Sequence, residues 1–405
     1  MSSITEEEVE RRYDLIVSRL GEVVDSDSTL KKILAKRPFR VYWGTAPTGP
    51  VHIGYLAPML KIADFLDAGC EVTILLADIH ASLDANETAI NLVTIKHRTN
   101  VYRTTIMEML TQLGVDTGRL RVVVGSEFQY SEDYRRDEDI VSSRIGLQDC
   151  IRAGAEVVKQ SDNPRMSGIR YAYMQCLDEA HLGVDAQFGG IDQRKIFTLS
   201  SRVMGILKTE RKRLDKKAKL GIYNKKIHLM NRMVPPLAIK RNEDGTKLKM
   251  SASSAGTTKL DILDSKKMIQ KKVARAFCEP ENVDDNTPLT LLTDVLFPLL
   301  DRWNTNLHID RPEEYGGPVE YADKESVRKG FKEGDLAPVD LKAGIVSVLS
   351  SFLLPIRDRL LSNPEFRTSF KAGYGIKLQP PPKPKVMIES KPTSKPESEQ
   401  VVSVV

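Results

Sequence analysis

The pattern of apolar and polar positions divides the chain into regions of different character. Val9, Tyr13, Ile16, Val17 and Leu20 recur at near-helical spacing within a charged opening segment. Residues 1–38 therefore predict a helical extension and a connection, with one face packed on the body. Phe39–Gly44 is a short β-rich run ending in glycine, followed by the loop Thr45-Ala-Pro-Thr-Gly-Pro-Val-His-Ile-Gly-Tyr55. After it, Leu56, Met59, Leu60, Ala63 and Leu66 fall on one helical face. Cys70–Ala77 reads as a buried strand, about Glu87 to Leu113 as a long helix, and Arg121–Val124 as another strand. Strands this continuously apolar, alternating with helices, predict a doubly wound parallel sheet with both faces covered. In such sheets ligands bind outside the carboxyl ends of the strands, which makes the loop from Gly44 to Tyr55 the first place to look for chemistry.

Strands thin out from about Lys259. Helical patterns over Lys259–Cys278, Leu289–Leu300 and Leu341–Leu360 predict a mainly helical domain over residues 259–378. From Gln379 the chain is rich in Pro, Lys, Ser and Glu, so 379–405 is expected to be a disordered tail. That leaves 39–258 for the α/β domain. Within it, residues 208–226 carry Lys208, Arg211, Lys212, Arg213, Lys216, Lys217, Lys219, Lys225 and Lys226 against Glu210 and Asp215. This basic segment reads either as a solvated helix or surface insertion, or as a phosphate contact.

Composition narrows the classes. A length of 405 residues suggests two or three domains at about 150 residues each. A hydrophobic share of 41% is too high for a disordered chain. The net charge of +5 permits a nucleic-acid partner without arguing for one. Cys70, Cys150, Cys176 and Cys278 are scattered, which excludes a disulfide scaffold and a Cys-type zinc site and suits a reducing compartment. The apolar run Ala343–Ile356 is shorter than the ~20 residues that span a bilayer and contains Pro355. The first residues, MSSITEEEVERR, lack a signal core. A soluble cytoplasmic protein with no membrane contact is expected.

Three constellations carry chemistry. The first is Pro50-Val-His52-Ile-Gly54-Tyr55 at a predicted helix start, where free backbone N–H groups and a partial positive charge suit phosphate. There His52 can donate to phosphate oxygens and Gly54 lets a flat base approach, although a histidine so placed is also compatible with a purely structural role. The second is Gly245-Thr-Lys247-Leu-Lys249-Met250-Ser251-Ala-Ser-Ser254, either an ordinary basic loop or a mobile clamp for a leaving polyphosphate. The third is Tyr171-Ala-Tyr-Met-Gln175-Cys-Leu-Asp178, with three polar groups on one helical face, followed by Gly189-Gly-Ile-Asp192-Gln193.

Together the first two resemble the H-I-G-x and K-M-S-x-S signatures of the class I aminoacyl-tRNA synthetases. The family's usual second histidine is Tyr55 here, and its second catalytic lysine is Ala252 in register. With the third constellation, and with Tyr42-Trp-Gly-Thr, Ala68–Leu75, Ala153–Gln160, Val184–Phe197 and Phe277–Pro280, the chain resembles the eukaryotic and archaeal tyrosyl-tRNA synthetases over roughly residues 10–370. The resemblance implies a Rossmann-like catalytic domain followed by a mainly helical anticodon-binding domain. It implies ATP and L-tyrosine as substrates, Mg2+ accompanying ATP, tRNA(Tyr) as acceptor, and a homodimer.

Residue by residue, the resemblance implies that Tyr42 and an ionised Asp178 bind the substrate phenol. Tyr171, Gln175 and Gln193 would hold the substrate ammonium, and His80 would line the same pocket. Asp192 and the backbone at Gly189 and Gly190 would meet the ribose, and the backbone at Val234 the adenine. His52 and Gly54 would meet ATP, as would Lys247, Lys249, Met250 and Ser251. In the helical domain, Glu314-Tyr315-Gly-Gly317 and Glu333-Gly-Asp335-Leu resemble anticodon-reading elements, with Tyr315 stacking on a base and Asp335 accepting from guanine. A pocket that hydrogen-bonds a phenol rejects phenylalanine by leaving its own polar groups unpaired. A tryptophan-specific synthetase, or an RNA-binding relative without catalysis, are the alternatives.

Overall fold

The computed structural model describes residues 4–24, 27–84, 92–157, 164–217, 219–233 and 259–381. In chain order, α1 (Glu6–Val17), β1 (Leu20–Val24) and α2 (Asp27–Leu34) lead into β2 (Arg40–Thr45), α3 (Leu56–Asp67), β3 (Glu71–Leu76), α4 (Asp78–Leu83), α5 (Leu92–Gln112) and β4 (Leu120–Val124). Then come α6 (Glu132–Ser142), α7 (Leu147–Gly154), α8 (Met166–His181), β5 (Ala186–Gly190), α9 (Arg194–Leu214) and β6 (Ile227–Asn231). The remainder is α10 (Lys266–Ala274), α11 (Thr287–Leu291), a π-helical turn (Leu292–Leu296), α12 (Phe297–Trp303), β7 (Leu307–Ile309), β8 (Val319–Tyr321), α13 (Lys324–Lys332), α14 (Pro338–Ser362) and α15 (Pro364–Tyr374).

The main sheet has the order β1-β6-β5-β2-β3-β4. From β2 the chain steps outward to β3 and β4, then returns to the other side of β2 for β5 and β6, all in parallel pairings. The direction of winding reverses between β2 and β5, which is where an open α/β sheet forms its ligand crevice. The opening segment differs from its expected helix and connection. It contains β1, which pairs antiparallel with β6 at the sheet edge. Its five residues include Gly21 and follow straight on from a helical periodicity, so a partner some 200 positions away left no local signature.

Alternation along β2 sorts its side chains. Val41 and Trp43 enter the large core with α3 and α5, whereas Tyr42 joins Leu75, Ala77 and Val184 on the other face. The large core is continuous from the sheet into α10–α15, where Ile269, Val273, Phe352, Ile356 and Phe370 are all buried. By length and composition α14 could cross a bilayer, and it contains Pro355. Its apolar residues, among them Leu341, Leu349 and Leu353, are spent on this core.

The basic segment proves partly structural. Arg211 donates to the buried Asp137 carboxylate, which also receives Tyr223 Oη at 2.8 Å and pairs with His181. Lys226 is buried and donates to the Val184 carbonyl at 2.9 Å. Lys212, Arg213, Lys216, Lys217 and Lys219 are exposed. The tail beyond 381 lies outside the described residues.

Candidate active site

The crevice is built where β2, β3 and β5 end. Helix α8 presents Tyr171, Gln175 and Asp178 from successive turns, as their spacing predicts. Tyr42 projects from β2 beneath it and donates its hydroxyl to the Gln175 carbonyl at 3.4 Å. Asp178 is 1% exposed. Its Oδ1 lies 2.8 Å from Gln129 Nε2 and 2.9 Å from the Tyr134 hydroxyl. That hydroxyl also lies 3.0 Å from the Met174 carbonyl. The Tyr134 hydroxyl donates to Asp178 Oδ1, with the Met174 carbonyl as a second acceptor for the same proton. Burial pushes the Asp178 carboxyl up to about 8, against the lowering effect of the Gln129 and Tyr134 donors. The carboxyl's partners here are Gln129 and Tyr134, while Tyr42, on the neighbouring strand, donates to the backbone.

His80, from α4 at the end of β3, places Nε2 3.9 Å from Asp178 Oδ2 and stacks edge-on to Tyr171 with centroids 4.7 Å apart. The imidazole is 2% exposed, and burial lowers it to about 4, so it is neutral. Neither ring nitrogen has a well-formed hydrogen bond among the described residues, and neither does Gln129 Oε1. Buried polar atoms without partners cost about 1–3 kcal/mol each, and here they gather around one carboxyl. Their chemistry is complementary to a polar group on an otherwise apolar guest.

The β5–α9 turn closes the crevice. Gln193 Oε1 accepts from Gln175 Nε2 at 2.8 Å, tying the turn to α8 and leaving Gln175 Oε1 as an acceptor. The turn packs closely on Gly189, where a Cβ would come within 2.6 Å of Gln193 Oε1 and 3.0 Å of Phe197 Cζ and would displace both side chains. A Cβ on Gly190 would likewise displace the Asp192 carboxylate. Asp192 itself lies on the single 3-10 turn Ile191–Gln193.

His52 is not at the start of an α-helix. It caps the 3-10 turn Ile53–Tyr55, accepting from the Gly54 N–H through Nδ1 at 3.2 Å. With Nδ1 as acceptor the ring proton resides on Nε2. Burial, with help from the Lys259 charge, lowers the imidazole to about 3. His52 is therefore a neutral donor with a fixed tautomer, which suits an anionic oxygen better than a freely rotating group.

Tyr55, where the resembled signature has histidine, binds the loop to the body. Its hydroxyl meets Thr45 Oγ1 at 2.9 Å and Tyr102 Oη at 3.3 Å. The Gly49 carbonyl accepts from Tyr102 at 2.7 Å and from Tyr374 at 3.1 Å, while Arg98 donates to the Thr48 carbonyl at 2.5 Å. A strap at 259–262 completes the support. Ile53 N–H donates to the Leu260 carbonyl at 2.9 Å, and His52 forms an antiparallel bridge with Asp261. Val234, Lys247, Lys249, Met250 and Ser251 lie outside the described residues.

The chain matches the family described as tRNA synthetases class I (W and Y) over residues 34–353. It belongs to that family. It is 42% identical over 382 residues to the cytoplasmic tyrosine--tRNA ligase of Saccharomyces cerevisiae, covering 93% of this chain and 91% of that protein. Against the cytoplasmic tyrosine--tRNA ligase of Xenopus tropicalis it is 44% identical over 365 residues, covering 90% of this chain but 63% of that longer protein. Among solved structures it resembles tyrosyl-tRNA synthetase from Archaeoglobus fulgidus complexed with L-tyrosine, with a TM-score of 0.73 and 29% identity, covering 87% of this chain and 99% of that one.

In this class I synthetase, the fold thus unites Tyr42, His80, Tyr171, Gln175, Asp178 and Gln193 in one crevice. The sequence reading missed Gln129 and Tyr134, which follow β4 as isolated polar residues in a charged stretch; only their contact with Asp178 reveals them. Among the described residues, no three His, Cys, Asp or Glu side chains converge in a metal-holding arrangement.

Far from the crevice, Tyr315 is 68% exposed on a 3-10 turn closed by Gly316 and Gly317 in left-handed conformations. Asp335 is also exposed. Arg311, absent from the sequence reading, links the two elements, donating to the Gly317 carbonyl at 2.6 Å and the Asp335 carbonyl at 3.0 Å.

Proposed function

We infer that this chain is a tyrosine–tRNA ligase. It activates L-tyrosine with ATP, releasing pyrophosphate, and passes the tyrosyl group to the 3′-terminal adenosine of tRNA(Tyr). The observation that carries the reading is the buried Asp178 carboxyl, framed by Gln129, Tyr134, His80 and Tyr42 at the switch point of the sheet. An indole offers no hydroxyl to this cluster, and phenylalanine would leave it unpaired.

In this reading the phenol of the substrate enters between Tyr42 and Asp178. The ammonium meets Gln175 Oε1 and Tyr171, with Gln193 holding Gln175 in place. The substrate carboxylate then attacks the α-phosphorus and pyrophosphate leaves, with no protein nucleophile involved. Catalysis consists of alignment and of donors aimed at developing phosphate charge. His52 Nε2–H is one such donor. Asp192 and the backbone at Gly189 and Gly190 hold the ribose, and Gly54 lets the nucleotide approach. Val234, Lys247, Lys249, Met250 and Ser251 keep the ATP-binding roles that the signature implies. Magnesium would accompany ATP and neutralise charge on the triphosphate.

Tyr315 and Asp335 read the anticodon, with Arg311 fixing their spacing. The chain works as a homodimer in the cytoplasm, the compartment given in the names of its relatives. Pyrophosphate exchange across the amino acids, followed by charging of purified tRNA(Tyr), tests the function. Exchange with tyrosine alone is the expected result, and exchange with tryptophan would overturn it.

A further inference from the structure

Lys259 is 3% exposed, which is rare for a lysine. Its ammonium donates to the Pro50 carbonyl at 3.0 Å and lies 3.5 Å from Asp261 Oδ1. Pro50 is two residues before His52, and Asp261 is the strap residue that bridges to His52. The chain flanking Lys259 therefore grips the loop on both sides of the imidazole. Leu260 receives the Ile53 N–H on one side of His52, and Lys259 holds the Pro50 carbonyl on the other. The same charge contributes to keeping His52 unprotonated, which preserves Nδ1 as the acceptor for Gly54 N–H. A second lysine, Lys272 of α10, completes the cluster by pairing with Asp264 at 2.6 Å and Asp261 at 3.6 Å, without touching the loop.

We propose that Lys259 is a positioning residue for adenylate formation: its ammonium fixes the Pro50–Ile53 backbone and so holds His52 Nε2–H at the phosphate end of the site. This inference rests on the reading that His52 meets the phosphates of ATP. Lys259 acts through His52, so its removal should disturb the nucleotide half of the site and leave the tyrosine half intact.

The test is tyrosine-dependent pyrophosphate exchange by the full chain, with tyrosine affinity measured separately by calorimetry. Lys259→Met should raise the KM for ATP about tenfold and lower the exchange rate about tenfold, while tyrosine affinity stays within about twofold. Lys259→Arg, which keeps the charge and the donor, should recover most of the loss. Lys272→Met should lower the melting temperature without moving the KM for ATP, which separates positioning from general support of the strap. In a His52→Ala background, Lys259→Met should cost less than about twofold more, because its route of action is already gone.

Three results would overturn the inference: unchanged ATP parameters in Lys259→Met, an equal loss of tyrosine affinity, or a loss additive to that of His52→Ala. If His52→Ala alone leaves exchange intact, it is the underlying reading of His52 that fails.

Discussion

The two halves of the crevice are held together by different means. The tyrosine half is a side-chain construction. Apart from Tyr42 and His80, its groups come from one stretch of chain between Gln129 and Gln193, with Gln129 and Tyr134 bonded to Asp178 and Gln175 bonded to Gln193. The nucleotide half is a backbone construction. The carbonyls of Thr48, Gly49 and Pro50 are held by side chains drawn from α5, the strap at 259–262 and α15. In the proposed reading, selectivity is thus concentrated in a few residues, whereas the shape of the loop assigned to ATP is shared among many.

The largest effect should come from the concentrated half. Asp178→Ala strands the donor of Gln129 and removes the group that meets the phenol. Tyrosine affinity measured by calorimetry should fall several hundredfold, corresponding to about 3 kcal/mol or more. An unaltered affinity would sink the assignment. Next, His52→Ala should slow adenylate formation about a hundredfold, the scale for removing one donor to a charged transition state, with tyrosine affinity nearly intact. A burst assay that shows an unchanged rate removes His52 from the mechanism.

A smaller, pH-dependent effect follows from Asp178. Its carboxyl rises from 3.8 to about 8 on folding, so the folded chain retains a proton that the unfolded chain loses. This contribution to stability is fully present below about pH 4 and is lost as the pH climbs towards about 8. Asp178→Asn should therefore melt higher than the parent at pH 8 and show less difference at pH 5. A phenol donating to Asp178 favours the carboxylate, so tyrosine binding should release a proton. Affinity should then rise by up to about tenfold per pH unit below about pH 8, and level off above it. Calorimetry in buffers of different ionisation enthalpy detects that proton; its absence would mean that the carboxyl stays neutral on binding. Smallest of all, Tyr102→Phe removes one of the two phenols on Gly49. Exchange should slow by no more than about threefold, since a neutral hydrogen bond contributes about 1 kcal/mol and Tyr374 remains. A collapse of activity would show that the backbone-held half depends on single residues after all.

The same contrast explains what was legible in the sequence. Strands β2, β3 and β4 were readable as apolar runs, and helices α3 and α14 from their own period of apolar residues. Tyr171, Gln175 and Asp178 were readable because a helix converts spacing of four and three into a shared face. The supports of the ATP loop carried no such mark. Arg98, Tyr102, Lys259 and Tyr374 look like ordinary helix or loop residues until the fold brings them to three successive carbonyls. The surroundings of Asp178 were illegible for a related reason: how deeply a group is buried depends on its neighbours in space, and Phe128, Gln129 and Tyr134 stand some 45 to 50 positions before it.

The second phenol on Gly49 has a consequence for biosynthesis. Tyr374 follows Gly49 by 325 residues, so a ribosome adding roughly 5–20 residues per second takes roughly 15–65 s to deliver it. Throughout that interval the nascent chain carries a loop at 45–55 that lacks its last tether. The loop therefore acquires its full set of tethers only after α15 has been made and has settled onto α5.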